Sequence, residues 1–128
     1  ELTKAQIDKG ADVIYHAAGF TGTGVLKAAA DAGVLGIGVD TNQNHLHPGS
    51  VLTSMLKRLD LTIFEQAEKT AAGTFESGAY FLGLAQDMVG YSMDENNADL
   101  VSSDMIAKVE AAKADIVSGK LTVVDVTQ

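Results

Sequence analysis

One stretch constrains this chain more than any other: ADVIYHAAGFTGTGVLKAAADAGVLGIGVD, ending on Asp40. It opens with a buried apolar run at about residues 12 to 17 and turns on the glycine-rich GFTGTG. The helical run VLKAAADAG follows and stops at Gly33, and a second apolar run, LGIGVD, closes the unit. Strand, helix and strand in that order make a βαβ crossover, which is right-handed and sets its two strands parallel. Parallel strands carry helices on their faces, so this unit commits the chain to an α/β architecture.

The flanking sequence extends that plan. ELTKAQIDKG reads as the last turns of a helix closed by Gly10. TNQNHLHPG is a loop holding the single proline, and VLTSMLK is a third strand. RLDLTIFEQAEKTAAG is an amphipathic helix with Leu59, Ile63, Phe64, Ala67 and Ala71 at helical spacing, ended by Gly73. The link between the second and third strands is short for a parallel connection and shows no helix. Pattern alone therefore leaves the third strand either parallel through a compact crossing or antiparallel. Further on, FESGAYFLGLAQDMVGYS is apolar and glycine-punctuated, which places a strand around 80 to 84 and a bulge or turn before Tyr91. DENNADLVS is a polar connection. SDMIAKVEAAKADIVSG is a helix capped by Ser103, with Ile106, Val109, Ala112 and Ile116 along one face. Gly119 ends it, and LTVVDV makes a last strand. No linker, repeat or low-complexity tract divides residues 1–128, and 46% hydrophobic residues fill one core. The expected fold is a single Rossmann-like α/β domain, with a mainly parallel sheet and helices on both faces.

Composition removes several classes of function. Without cysteine there are no disulfides, thiolate nucleophiles or cysteine metal sites. A formal net charge of -8 opposes non-specific binding to nucleic acid. No run approaches the roughly 18 apolar residues that cross a bilayer as a helix. Trp is absent, and aromatics at 5% give a sugar-stacking surface little to draw on. The chain opens on Glu1 inside a helical pattern, as expected of a processed protein or an excised domain.

In parallel sheets ligands collect where loops leave the carboxyl ends of the strands. Three segments end on that edge and bring Gly19, Phe20, Thr21, Asp40, Asn42 and Lys57 near one another. GFTGTG runs from strand into helix as a phosphate loop does, and Asp40 stands about where a dinucleotide fold places its ribose-binding acid. Its glycines, Gly19, Gly22 and Gly24, do not keep GxGxxG spacing, and the same residues serve a tight turn and close helix packing. Asp40 is either an acceptor for the turn's own N–H groups or a carboxylate for a ligand's vicinal diol. Lys57 is either a solvated lysine or a cation stabilised by Asp40. Arg58 faces solvent or caps the next helix.

His45 and His47, with Asp40 and His16 in reach, suggest a metal, but HxH on a proline loop lacks any HExxH-like frame. They read as solvated loop residues, and His16 as a hydrogen-bonded structural histidine. No GxSxG elbow exists, Ser54 has no base partner, and carboxylates such as Asp87, Asp94 and Glu95 are scattered. No metal, cofactor or catalytic residue is expected.

GADVIYHAAGFTGTGVLKAA, GIGVDTNQ and VLTSMLKRLD, in that order, resemble the basic membrane protein family, lipoproteins related to purine-nucleoside-binding components of ABC importers. FESGAYFLGL, VGYS and the helix through SGK resemble its later segments, so the resemblance covers nearly the whole chain but only the family's second lobe. It implies a type I periplasmic-binding fold, in which two α/β lobes close on a solute, with VLTSMLK a parallel strand. It implies a ribose grip by Asp40 and Lys57, with Gly19 to Gly24 bordering the cleft. Two residues depart from the family pattern: Phe20 where a second glycine is usual, and Asn42 where an acid is usual.

The resemblance also implies an ABC permease as partner and lipid anchoring outside the cell membrane or in the periplasm. Without its first lobe the chain exposes apolar hinge surface, so self-association of the isolated lobe is expected. Two further functions fit the same residues. One is an NAD- or nucleotide-binding enzyme domain using GFTGTG; the other is a sensor or surface-interaction module on the same fold.

Overall fold

Leu26 and Ala29, three residues and so almost one helical turn apart, are 1% and 0% exposed, and they mark the face on which the fold is built. The computed structural model describes residues 1–124. Its elements are α1 (Leu2–Ile7), β1 (Val13–Tyr15), α2 (Gly22–Asp31), β2 (Leu35–Gly38), β3 (Val51–Lys57), α3 (Leu59–Ala71), β4 (Val89–Tyr91) and α4 (Ser103–Val117). The sheet order is β1-β2-β3-β4. The first two pairings are parallel and β3 with β4 is antiparallel.

Helix α2 carries Leu26 and Ala29 onto β1 and β2, and α1 packs behind it. Glycine weakens a strand interior, yet β2 needs one at Gly36. A Cβ there would stand 2.7 Å from Leu26 Cδ2, so the small residue lets the helix lie close. Ile14, Val39, Val51 and Met88 complete the buried apolar set. Each such aliphatic side chain contributes roughly 1.5–3 kcal/mol by leaving water.

Strand alternation sorts the rest. Gly36 and Gly38 share the α2 face, and a Cβ on Gly38 would meet Ser54 Oγ at 2.5 Å, so Ser54 shares it too. Met55 therefore points the other way, and its antiparallel partner Tyr91 goes with it. On that side α4 faces the sheet across a groove of about 780 Å³, lined by Met55, Tyr91, Val109, Ala112 and Ile116 among others. Tyr91 donates to Glu110 at 2.8 Å, and Lys113 pairs with Asp87 at 2.7 Å across the rim. Helices thus flank both faces of a mainly parallel sheet, as the sequence leads one to expect.

The third strand is parallel, and the link that reaches it is compact, with only a short 3-10 turn at Asn44–Leu46. At its entry the register slips, Gly36 pairing with Val51 but Ile37 with Thr53, so Leu52 is an extra residue on β3. Its carbonyl is not left orphaned, because Asn97 Nδ2 donates to it at 2.9 Å.

Three expectations need correction. Residues 80 to 84 do not form a strand: that stretch is irregular up to a 3-10 turn at Leu84–Gln86, and the strand comes later, at Val89–Tyr91. Asp87, at φ 54, closes the 3-10 turn and redirects the chain just ahead of β4. The cap of α4 is Ser102, whose Oγ accepts from the Met105 N–H, and Ser103 is already helical. Leu121–Val124 carries no strand, and the remainder of LTVVDV lies outside the described residues. Helix α3 forms as its period predicts, and its apolar stripe is exposed, with Leu59, Ile63 and Phe64 at 65%, 70% and 60% exposure.

Candidate functional site

Because β1, β2 and β3 are parallel, their carboxyl ends share one edge. Asp40 stands two residues beyond β2 with φ 69, a left-handed conformation that Asp tolerates better than most side chains. Thr41 N–H bonds back to the Val39 carbonyl at 2.8 Å and tightens the turn around it. The Asp40 carbonyl accepts from the Lys57 N–H at 2.9 Å, which ties the turn to the end of β3. Above that backbone bond the side chains meet, Lys57 Nζ to Asp40 Oδ1 at 2.8 Å. The hydrogen bond to Asp40, and then its charge, holds the Lys57 ammonium above the usual lysine range. Both side chains remain about half exposed, 54% and 48%. A carboxylate offers about four lone-pair sites, so one ammonium leaves Asp40 with acceptor capacity toward solvent. The expected meeting of these two residues is present.

The β1 loop supplies the neighbouring wall. Gly19–Thr21 forms a 3-10 turn leading into α2, with Gly19 at φ 53. Thr21 Oγ1 donates to the Ala18 carbonyl at 2.6 Å, so its hydroxyl stiffens the turn. Phe20 is 90% exposed beside this edge. Arg58, at the start of α3, turns to Asp60 at 3.0 Å.

Beneath the turn lies His16, only 6% exposed, with its ring against Gly22. The reading of a hydrogen-bonded histidine is half right. The ring is buried, but neither nitrogen has a hydrogen-bond partner among the described residues. Burial pushes its pKa below the ordinary imidazole value, against an opposing pull from the Asp40 charge. The folded state therefore prefers neutral His16, and the unfolded chain takes up its proton first as pH falls. Stability from this group is complete above about pH 6.5 and is lost as pH drops through the folded pKa. Urea midpoints measured from pH 7.5 to 5 are expected to fall below about pH 6.5, and His16→Gln to flatten that fall.

Asn42, exposed two residues after Asp40, is tied to a neighbouring loop. Its Nδ2 donates to Asp94 Oδ2 at 2.6 Å, and its Oδ1 accepts from the Asn44 N–H at 2.9 Å. His45 is exposed in the crossover loop. Among the described residues no group of three His, Asp or Glu side chains is disposed to hold a metal ion. Sequence reasoning missed a buried polar cluster of Asn44, Ser54, Ser92 and Asn97, each at most 5% exposed. Its only sequence signal is asparagine density in TNQN and DENNAD.

Comparison with known proteins follows the same lines. The family model described as ABC transporter substrate-binding protein PnrA-like matches residues 1–126. A Listeria innocua protein named CD4+ T-cell-stimulating antigen is 36% identical over 96% of this chain and 38% of its own length. A Lactococcus lactis protein named ABC transporter nucleoside-binding protein BmpA is 31% identical over 95% of this chain and 38% of its own length. This chain thus spans well under half of these curated relatives. A crystal structure described as a transcriptional activator of the comK gene from Bacillus halodurans superposes with TM-score 0.84 at 21% identity, over 94% of this chain and 41% of that one. At that identity the likeness speaks for the fold alone.

Proposed function

This chain belongs to the PnrA-like family of ABC transporter substrate-binding proteins, and we propose that it is the C-terminal, solute-recognition lobe of a two-lobe binding protein for a purine nucleoside. The observation that carries this reading is the half-exposed Asp40–Lys57 pair at the carboxyl edge of the sheet. A carboxylate accepts two hydrogen bonds side by side, which matches the two hydroxyls of a ribose, and the lysine ammonium donates to either oxygen. Gly19 and Thr21 shape the adjoining wall, and exposed Phe20 offers a face on which a base stacks.

Binding rather than turnover is the proposed activity. Small-molecule sites bury most of their ligand, and one sheet edge cannot do that, so the other lobe supplies the facing wall on closure. The full-length protein is proposed to work outside the cell membrane, held by a lipid anchor and handing its solute to an ABC permease. The Lactococcus relative's name supports the ligand class. Glycines in the GFTGTG turn favour this reading over a phosphate cradle, because Gly22 is accounted for by the His16 ring against it.

Calorimetry of the full-length protein with inosine, 2′-deoxyinosine and hypoxanthine tests the proposal. Inosine is expected to bind, deoxyinosine about tenfold more weakly for the loss of one charge-assisted hydrogen bond, and the free base hardly at all. Equal affinity for inosine and deoxyinosine would remove the ribose grip.

A further inference from the structure

Asp40 enters its turn from a strand, and a left-handed residue points its side chain wherever the chain on both sides directs it. The entering side is β2; the leaving side is a set of side-chain anchors. Val39 N–H donates to Gln43 Oε1 at 3.0 Å, and Gln43 N–H donates to Ser54 Oγ at 3.0 Å. Asn44 Oδ1 accepts from Ser54 Oγ at 2.8 Å and from Ser92 Oγ at 3.1 Å. Asn42 and Asn44 both donate to one carboxylate oxygen of Asp94, at 2.6 and 3.3 Å. The other oxygen accepts from Asn96 N–H and Nδ2 at 2.8 and 3.1 Å. Asn96 in turn gives its carbonyl to the Gly49 N–H at 3.0 Å, near the far end of the crossover.

Asp94 therefore gathers the loop that follows Asp40 onto the loop that follows β4. Resting on the nucleoside reading above, we propose that Asp94 is a positioning residue of the solute site, acting through Asn42 and Asn44 to aim the Asp40 carboxylate at the ribose. It touches no solute itself. The arrangement also gives Asn42 a supporting role, since its amide donates to Asp94 and its carbonyl accepts from Asn44.

A reciprocal exchange in the full-length protein, read by calorimetry with inosine and 2′-deoxyinosine, tests this. Asn42→Asp sets two carboxylates where a 2.6 Å hydrogen bond stood and is expected to lower inosine affinity about tenfold or more. It is also expected to collapse the preference for inosine over deoxyinosine, which general loosening of the fold would leave intact. Asp94→Asn is expected to weaken inosine binding roughly three- to tenfold. The double variant Asn42→Asp with Asp94→Asn restores the 42–94 pair in reverse while giving up the longer 3.3 Å donation from Asn44 to the same atom. Its affinity and preference should rise well above those of Asn42→Asp, to about those of Asp94→Asn. Recovery in the double variant supports the proposal even where a single variant fails to fold. Binding by the unaltered protein without recovery in the double variant overturns the positioning role alone. If the unaltered protein binds no inosine, the nucleoside reading falls, and this proposal with it.

Discussion

Replacing Asp40 with alanine is expected to lower the affinity of the full-length protein for inosine by roughly 10–100-fold. Hydrogen bonds to charged groups contribute about 1.5–3 kcal/mol each, and about 1.4 kcal/mol is a factor of ten. Alanine removes two things together, the carboxylate and a residue suited to φ 69. Asp40→Asn separates them, because Asn tolerates the left-handed conformation and keeps the side chain's shape while losing the charge. If the carboxylate grips the diol, Asn binds nearly as poorly as Ala. If backbone strain is the cause, Asn binds nearly as well as Asp. Lys57→Met is expected to weaken binding too, since Asp40 then meets the solute without its ammonium partner, 2.8 Å away in this structure. An Asp40→Ala protein with unchanged inosine affinity would remove the ribose assignment.

Gly22→Ala is expected to destabilise the protein by about 3 kcal/mol, the upper end for overpacking a filled site. A Cβ on residue 22 would stand 1.8 Å from His16 Cε1 and 2.4 Å from both ring nitrogens. The imidazole is 6% exposed and has little room to withdraw. His16→Ala should be destabilising by itself, because it leaves a cavity. In the double variant the added methyl enters space the ring has vacated, so the two losses should not add. Urea unfolding of the four proteins measures this directly. Additive losses would mean that ring and helix start do not press on each other. The same contact explains why the turn into α2 needs a glycine without any appeal to a phosphate.

Much of the fold was legible because its signals are local. The apolar runs of β1 and β2, the VLTSMLK strand and the helical run of α2, with glycine stops at Gly10, Gly33, Gly73 and Gly119, all reappear as elements or positive-φ ends. Residues 80 to 84 misled for a physical reason. Apolar and aromatic composition suits a strand, but a strand exists only when its backbone finds a partner, and β3 is paired by Val89–Tyr91 instead. The exposed stripe of α3 teaches the companion lesson: periodicity makes a helix amphipathic, whereas burial needs a facing surface. The cap of α4 moved by one residue because Ser102 and Ser103 are equivalent by type, and only the Met105 hydrogen bond chooses between them.

At the site the division is sharper. The sequence by itself determined that β1 and β2 run parallel and that Asp40 follows their carboxyl edge, because a βαβ unit has one handedness. Lys57 joins that edge only because β3 pairs parallel to β2, which pattern alone left open. Tertiary structure alone decided which polar residues face solvent there and which face each other. Asn42 looks as available as Asp40 in DTNQN, yet its amide donates to Asp94, and buried His16 finds no hydrogen-bond partner among the described residues. The physical reason is range. A turn or a helical period is settled among neighbours in the chain, while a hydrogen bond between residues 42 and 94 depends on strand register and loop path, which no local pattern records.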